Sequence, residues 1–174
     1  MFTFVTGGFR SGRSNYALRR ACELGPPPWC YVSLGLDTDD AIAKRLAHHR
    51  RDQEAIWHTK PIPEKVADLV SPEALAPYGS VVIDGFSRWI EERLTAHPEL
   101  SDAQLIADVE ELADRLYRTT VPVVLVTREV GLARPPEDPL LKRAFRLTAS
   151  ANQILASSAT HVSLLISGVP LRVR

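Results

Sequence analysis

Residues 7–14 read Gly-Gly-Phe-Arg-Ser-Gly-Arg-Ser, and they stand directly after an apolar run, Phe2–Val5, and directly before a stretch with helical spacing, Ser14–Leu24. A glycine-rich turn between a strand and a helix constrains the chain more than any other feature. Glycines let backbone N–H groups converge on phosphate oxygens, and the helix N-terminus adds a partial positive charge to the same point. The spacing is that of G-x-x-x-x-G-K-[ST], in which the final hydroxyl, here Ser14, reaches a magnesium ion. Gly7, Gly8, Phe9, Arg10, Ser11, Gly12, Arg13 and Ser14 are therefore the expected nucleotide-binding loop. The lysine position is filled by Arg13, a planar fork in place of a compact point charge. The chain carries 17 arginines against 4 lysines, so a general preference for arginine suffices to put one there.

The rest of the chain repeats the strand–helix alternation, which is the pattern of a parallel sheet covered by helices. Six strands are expected: Phe2–Val5, Trp29–Leu34, Ser80–Asp84, Val121–Thr127, Thr160–Ile166 and Val169–Arg174, the last two turning at Ser167-Gly168. Between them fall a helix from Asp39 to about Asp52 that opens on Thr38-Asp39-Asp40, a short helix near Glu64–Val70, and helices over Trp89–His97, Ser101–Arg118 and Leu140–Ser157. Ser101 with Gln104 makes a capping-box pattern. The expected fold is α/β of the P-loop, RecA-like kind: a mainly parallel sheet, helices on both faces, a C-terminal β-hairpin, and one domain over residues 1–174.

Composition excludes several function classes. Twenty-one basic side chains balance 21 acidic ones, so bulk electrostatic binding of nucleic acid or of a membrane surface is not expected. No apolar run approaches the roughly 20 residues that span a bilayer, and no basic segment precedes the first strand, so the expected compartment is the cytoplasm. Cys22 and Cys30 form neither a zinc site nor a disulfide framework and are expected to be buried packing residues.

Two further features bear on chemistry. Asp84 ends an apolar strand, where a P-loop enzyme places the carboxylate that holds magnesium directly or through water. His48 and His49 close the Asp39–Asp52 helix, and adjacent helical residues point about 100° apart, so one of the two can face a given site. An imidazole there can serve as base, ligand or covalent nucleophile, or simply as part of a solvated basic helix end.

Taken together the sequence resembles the bifunctional adenosylcobinamide kinase/adenosylcobinamide-phosphate guanylyltransferases of cobalamin biosynthesis. The resemblance rests on Thr6-Gly7-Gly8-Phe9-Arg10-Ser11-Gly12, the Asp39-Asp40 to His48-His49 segment with Trp57 and Thr59 after it, Glu129-Val130-Gly131, Asn152-Gln153 and the C-terminal run from Ile166 to Arg174. It implies a P-loop α/β enzyme, typically a trimer, that acts on nucleotides and a corrinoid. It further implies Mg²⁺ with ATP and GTP, and a histidine that accepts GMP from GTP. Carried over position by position, that histidine is His48, the strand-end acid is Asp84, and the nucleotide-site glutamate is Glu129. His48, Asp84 and Arg13 are then the catalytic candidates, Ser14 and Asp84 the magnesium partners. The chain departs from the family at Arg13, usually lysine, at Arg128, usually asparagine, and at Leu132-Ala133-Arg134-Pro135, usually glycine-rich. It departs also at Ala144-Phe145-Arg146, where an F-R-D motif is displaced or lost, and at Lys60-Pro61, where acids are common. Two readings compete with the resemblance: a degenerate nucleotide-binding homologue, favoured by Arg13 and Arg128, and a P-loop kinase of another small molecule, which needs no role for His48.

Overall fold

The computed structural model describes residues 1–35, 38–47 and 56–174. Among them seven strands form one sheet in the order β3-β2-β4-β5-β1-β6-β7. The strands are β1 (Phe2–Gly7), β2 (Trp29–Ser33), β3 (Trp57–Thr59), β4 (Ser80–Asp84), β5 (Val123–Val126), β6 (His161–Ile166) and β7 (Val169–Arg172). All pairings are parallel except β6 with β7, so the expected α/β sheet with a C-terminal hairpin is what forms. The strand missing from the sequence reading is β3. It is three residues long and pairs with β2 alone, where the Trp29 and Trp57 rings lie 5.3 Å apart.

The helices are α1 (Arg13–Leu24), α2 (Asp39–Ala47), α3 (Pro72–Leu75), α4 (Phe86–Ala96), α5 (Asp102–Arg118) and α6 (Pro139–Ser158), with a 3₁₀ turn at Val66–Val70 in place of the short α-helix expected there. The continuation of α2 to Asp52 lies outside the described residues. Side chains of a strand alternate between faces, and the two faces bury separate cores. Val5, Tyr31, Val82, Val124 and Val126 pack against α1 and Leu46 of α2. Phe2, Phe4, Val32, Ile83 and Leu125 pack against α4, α5 and α6, whose inward residues include Ile90, Leu112 and Leu155. Helices thus cover both faces, as expected. α5 opens on the expected capping box, with Ser101 Oγ accepting from the Gln104 N–H at 3.2 Å and Gln104 Oε1 accepting from the Ser101 N–H at 2.9 Å. No disulfide joins Cys22 to Cys30, and only Cys30 is buried; Cys22 is half-buried on α1.

Strand order fixes where chemistry can occur. β1 leads away to β2 on one side, whereas β6, which follows β5 in sequence, lies on the other side of β1. The carboxyl end of β1 is therefore the switch point of an open sheet, where ligands bind.

Candidate functional site

The loop after β1 is shaped by three close approaches. A Cβ on Gly7 would stand 2.4 Å from Ser11 Oγ and 2.8 Å from the Leu165 carbonyl oxygen, so only glycine fits. Gly12 caps α1 with φ +85°, in the left-handed region. Ser11, itself buried, accepts a 2.8 Å hydrogen bond through its carbonyl from the Gly168 N–H, which ties the loop to the β6–β7 turn. Its hydroxyl is buried with no partner among the described residues. The first N–H groups of α1 have no acceptor within the helix and stand at this loop, the arrangement that takes an anion. Phe9 projects, 82% exposed, with the Arg10 guanidinium 5.9 Å from its ring centre.

Arg13 folds back on the loop it follows. Its Nη1 donates to the Gly8 carbonyl at 2.7 Å and the Gly7 carbonyl at 3.4 Å. Burial lowers its pKa from the ordinary arginine value; Asp84 opposes that shift, and Arg128 and Arg45 add to it. Arg13 and Arg45 thus share the influence of one carboxylate, Asp84, and Arg128 is close enough to Arg13 to disfavour its charge.

Asp84 is 6% exposed and stands at the same height as the end of β1, because Asp84 pairs with Val126 and Val126 with Val5. One strand intervenes, which puts the Asp84 and Val5 Cα atoms roughly 10 Å apart at a strand spacing of ~4.8 Å. Side chains rising from that edge share one space. The Tyr31 hydroxyl donates to Asp84 Oδ2 at 2.9 Å, Arg45 Nη1 of α2 lies 3.6 Å from the same oxygen, and Arg45 also donates to the Tyr31 hydroxyl. Burial and the adjacent Asp84 push the Tyr31 phenol above the ordinary tyrosine pKa, so it remains a donor.

Glu129 completes the wall. Its N–H donates to the Gly7 carbonyl at 2.9 Å, and its carboxylate accepts from the Gly131 N–H at 2.8 Å and the Thr6 hydroxyl at 3.4 Å. Glu129 and Gly8–Ser11 line one open cleft of about 370 Å³ with Leu132 and Leu164–Ser167. On the other side of Glu129 a second cleft of about 310 Å³ is lined by Thr6, Asn152 and Gln153. Asn152 Nδ2 donates to the Arg128 carbonyl at 3.0 Å, and Arg128 Nη1 lies 3.8 Å from Glu91 Oε1.

Gly7–Ser14, Asp84 and Glu129 therefore stand at one edge, whereas His48 and its neighbour His49 lie outside the described residues. A serine hydroxyl and a carboxylate are hard oxygen donors that suit Mg²⁺, and among the described residues no three His, Cys, Asp or Glu side chains gather into a metal cage. That donor set fits an ion held by one or two side chains and by substrate phosphates. Tyr31 and Arg45 lie outside the motifs from which the site is expected. The signal for Tyr31 is a phenol in the middle of an apolar strand, since a buried tyrosine hydroxyl finds a partner.

Comparison with known proteins bears on the family and the fold. Over its whole length the chain is 29% identical to the bifunctional adenosylcobalamin biosynthesis protein CobU of Salmonella typhimurium and 28% identical to that of Escherichia coli, each also covered end to end. It is 27% identical to CobP of Pseudomonas aeruginosa, covering 98% of it. Among solved structures it superposes on flagellar accessory protein FlaH from Methanocaldococcus jannaschii with a TM-score of 0.51, at 15% identity, over 97% of this chain and 74% of that one. A protein of Pyrococcus horikoshii OT3 superposes with a TM-score of 0.55, at 9% identity, over 98% of this chain and 84% of that one. These two likenesses concern the fold. The family model described as cobinamide kinase / cobinamide phosphate guanyltransferase matches residues 3–173, and the chain belongs to that family.

Proposed function

We propose that the protein phosphorylates adenosylcobinamide with ATP or GTP and then guanylylates the product through a guanylyl-histidine. The observation that carries this reading is the placement of the Gly7–Ser14 loop, Asp84 and Glu129 at one sheet edge in a chain that belongs to this family. In the first step the corrinoid hydroxyl oxygen attacks the γ-phosphorus, the bond to the departing nucleoside diphosphate breaks, and the hydroxyl proton is lost. Backbone N–H groups of Gly8–Ser14 cradle the phosphates, and Arg13 balances charge on them. Ser14 and Asp84 would hold Mg²⁺, which neutralises charge on the phosphate oxygens when bound. In the second step a neutral His48 imidazole attacks the α-phosphorus of GTP, pyrophosphate leaves, and the N–P bond is then exchanged for a bond to a phosphate oxygen of the phosphorylated corrinoid. Glu129 belongs to the nucleotide site in both steps.

The same proposal includes a cytoplasmic homo-oligomer, a trimer as the family resemblance implies. Supporting self-association, the β6–β7 hairpin exposes Ile166, Val169, Leu171 and Val173 together. Incubation with GTP and Mg²⁺ followed by intact-mass measurement tests the central step. A gain of one GMP that disappears in His48→Ala is expected; no adduct in the native protein would sink it. One observation favours a second reading, a nucleotide-binding homologue without phosphoryl transfer: Arg13 is engaged with the carbonyls of its own loop. Binding of nucleotide with neither adduct nor phosphorylated product would select that reading.

A further inference from the structure

Along the α1 side of the sheet, β6 and β7 present polar side chains. Thr3 pairs with His161, Val5 with Ser163, and Ser163 with Arg172, so Thr3, His161, Ser163 and Arg172 share the face that carries Val5 against α1. With Tyr16 and Arg20 from α1 they line a cleft of about 230 Å³. None of its residues belongs to the Gly7–Ser14 loop.

The lining has one sign of charge. Arg20, His161 and Arg172 converge on it from three elements, and no carboxylate lines it. The nearest acid to Arg20 is Glu23 of its own helix, 3.0 Å away in a pair that is largely solvated and so contributes little. No carboxylate among the described residues forms an ion pair with Arg172. Beyond its own partial burial, the two arginines both press the His161 imidazole below its ordinary pKa. Neutral donors complete the set. The Tyr16 and Ser163 hydroxyls share a single 3.3 Å hydrogen bond, which uses one of their two protons. Thr3, 1% exposed, forms the floor, and its hydroxyl has no partner among the described residues.

We infer that this cleft is an oxyanion site of the phosphate class, separate from the phosphate loop, with Arg20 and Arg172 as its charged walls and Tyr16, Ser163 and Thr3 as its neutral donors. Planar guanidinium forks match phosphate geometry in two-pronged fashion. The volume suits a phosphate or diphosphate, or the phosphoryl end of a larger molecule whose remainder stays in solvent, and is below the ~300 Å³ at which pockets enclose whole ligands.

His161 is the built-in reporter. Facing it are Arg20 and Tyr16 from α1, Arg172 from β7 and Thr3 from β1. A bound dianion outweighs the two arginines, so anion binding and imidazole protonation reinforce each other. The test follows the His161 ring proton by NMR in the intact chain, assigned by its loss in His161→Gln, while inorganic phosphate is titrated at constant ionic strength. The midpoint of its titration is expected to rise by about one pH unit, and Arg172→Gln should abolish the rise. Separate arms with pyrophosphate and with GMP identify the source: tighter binding of GMP at this reporter assigns the site to the phosphoryl end of an organic ligand, and equal or weaker binding assigns it to free phosphate or pyrophosphate. An imidazole that does not respond at ~50 mM phosphate, far above the millimolar Kd of even a weak site, or that responds equally in Arg172→Gln, overturns the inference. The readout does not depend on turnover, so it stands apart from the fate of the proposed enzymatic reaction.

Discussion

Gly8 and Gly12 lie in the same loop, yet alanine should affect them differently. At Gly12 an added Cβ meets two penalties. The residue holds φ +85°, and an L side chain in the left-handed region costs roughly 1–2 kcal/mol. The Cβ would also lie 3.2 Å from the Gly168 Cα, a backbone atom of the β6–β7 turn that cannot rotate out of the way. Against these, alanine stiffens the unfolded chain and returns ~0.4–1 kcal/mol. The net expectation for Gly12→Ala is a loss of about 1–2 kcal/mol, which for a chain of this size lowers Tm by roughly 2–8 °C. At Gly8 the Cβ meets nothing within 4 Å and φ is not positive, so Gly8→Ala should stay within ~0.5 kcal/mol of the native protein. Thermal unfolding of both variants without nucleotide measures the difference. Nucleotide affinity, measured calorimetrically, should fall about tenfold or more in Gly12→Ala, since the turn that aims the first N–H groups of α1 is disturbed. Equal Tm values for the two variants would refute the strain argument. The expected Tm gap with unchanged nucleotide affinity would leave the strain argument standing and remove the loop from the nucleotide site.

Tyr31→Phe should cost about 1–3 kcal/mol in urea denaturation at neutral pH, because it strips a buried carboxylate of a hydrogen bond; a loss below ~0.5 kcal/mol would show that the bond contributes nothing. The phenol's pKa is raised on folding, so its contribution is complete below the unfolded value of 10.0 and is lost as pH climbs past it, where the unfolded chain ionises first. Burial pushes the Cys30 thiol up to about 11, so near pH 8 a thiol reagent should titrate one cysteine, Cys22, in the native protein and both only on unfolding. Two thiols reacting at the native rate would contradict the packing around Cys30.

What the sequence disclosed depended on how local each signal is. The loop, Asp84 and the capping box at Ser101 are legible because a few adjacent residues carry them. β3 is not, since Trp57–Thr59 becomes a strand only by pairing with β2, and its own neighbours include Pro61 and Pro63. α4 begins at Phe86, three residues before the expected Trp89, for a related reason. Gly85, at φ +92°, turns the chain at once from β4 into Phe86, with no capping side chain to announce the helix. Cys22 and Cys30 are alike in sequence, yet one is half-buried on α1 at the margin of the core and the other is fully buried in β2. The coupling of Asp84 to Tyr31 spans 53 positions, and no local pattern encodes a contact at that separation.

That coupling bears on how Asp84 could serve a metal. A carboxylate has two oxygens and about four acceptor positions, and the protein occupies only one side of this one. Tyr31 and Arg45 both engage Oδ2, whereas Oδ1 has no protein partner among the described residues. The two side chains therefore hold the group in one orientation without exhausting it. Arg45 comes from α2, three positions before His48 in sequence, so the helix that leads to the proposed guanylyl carrier also braces the proposed magnesium carboxylate. A polyphosphate arriving at the loop would meet Arg13, and the charges of Arg45 and Arg128, which already act on Arg13, would act on it as well. It would compete with the Gly7 and Gly8 carbonyls for Arg13 and with Asp84 for Arg45. Phosphate oxygens are the stronger acceptors for guanidinium forks, so under the proposed function the contacts that brace this edge are also those that nucleotide binding rearranges.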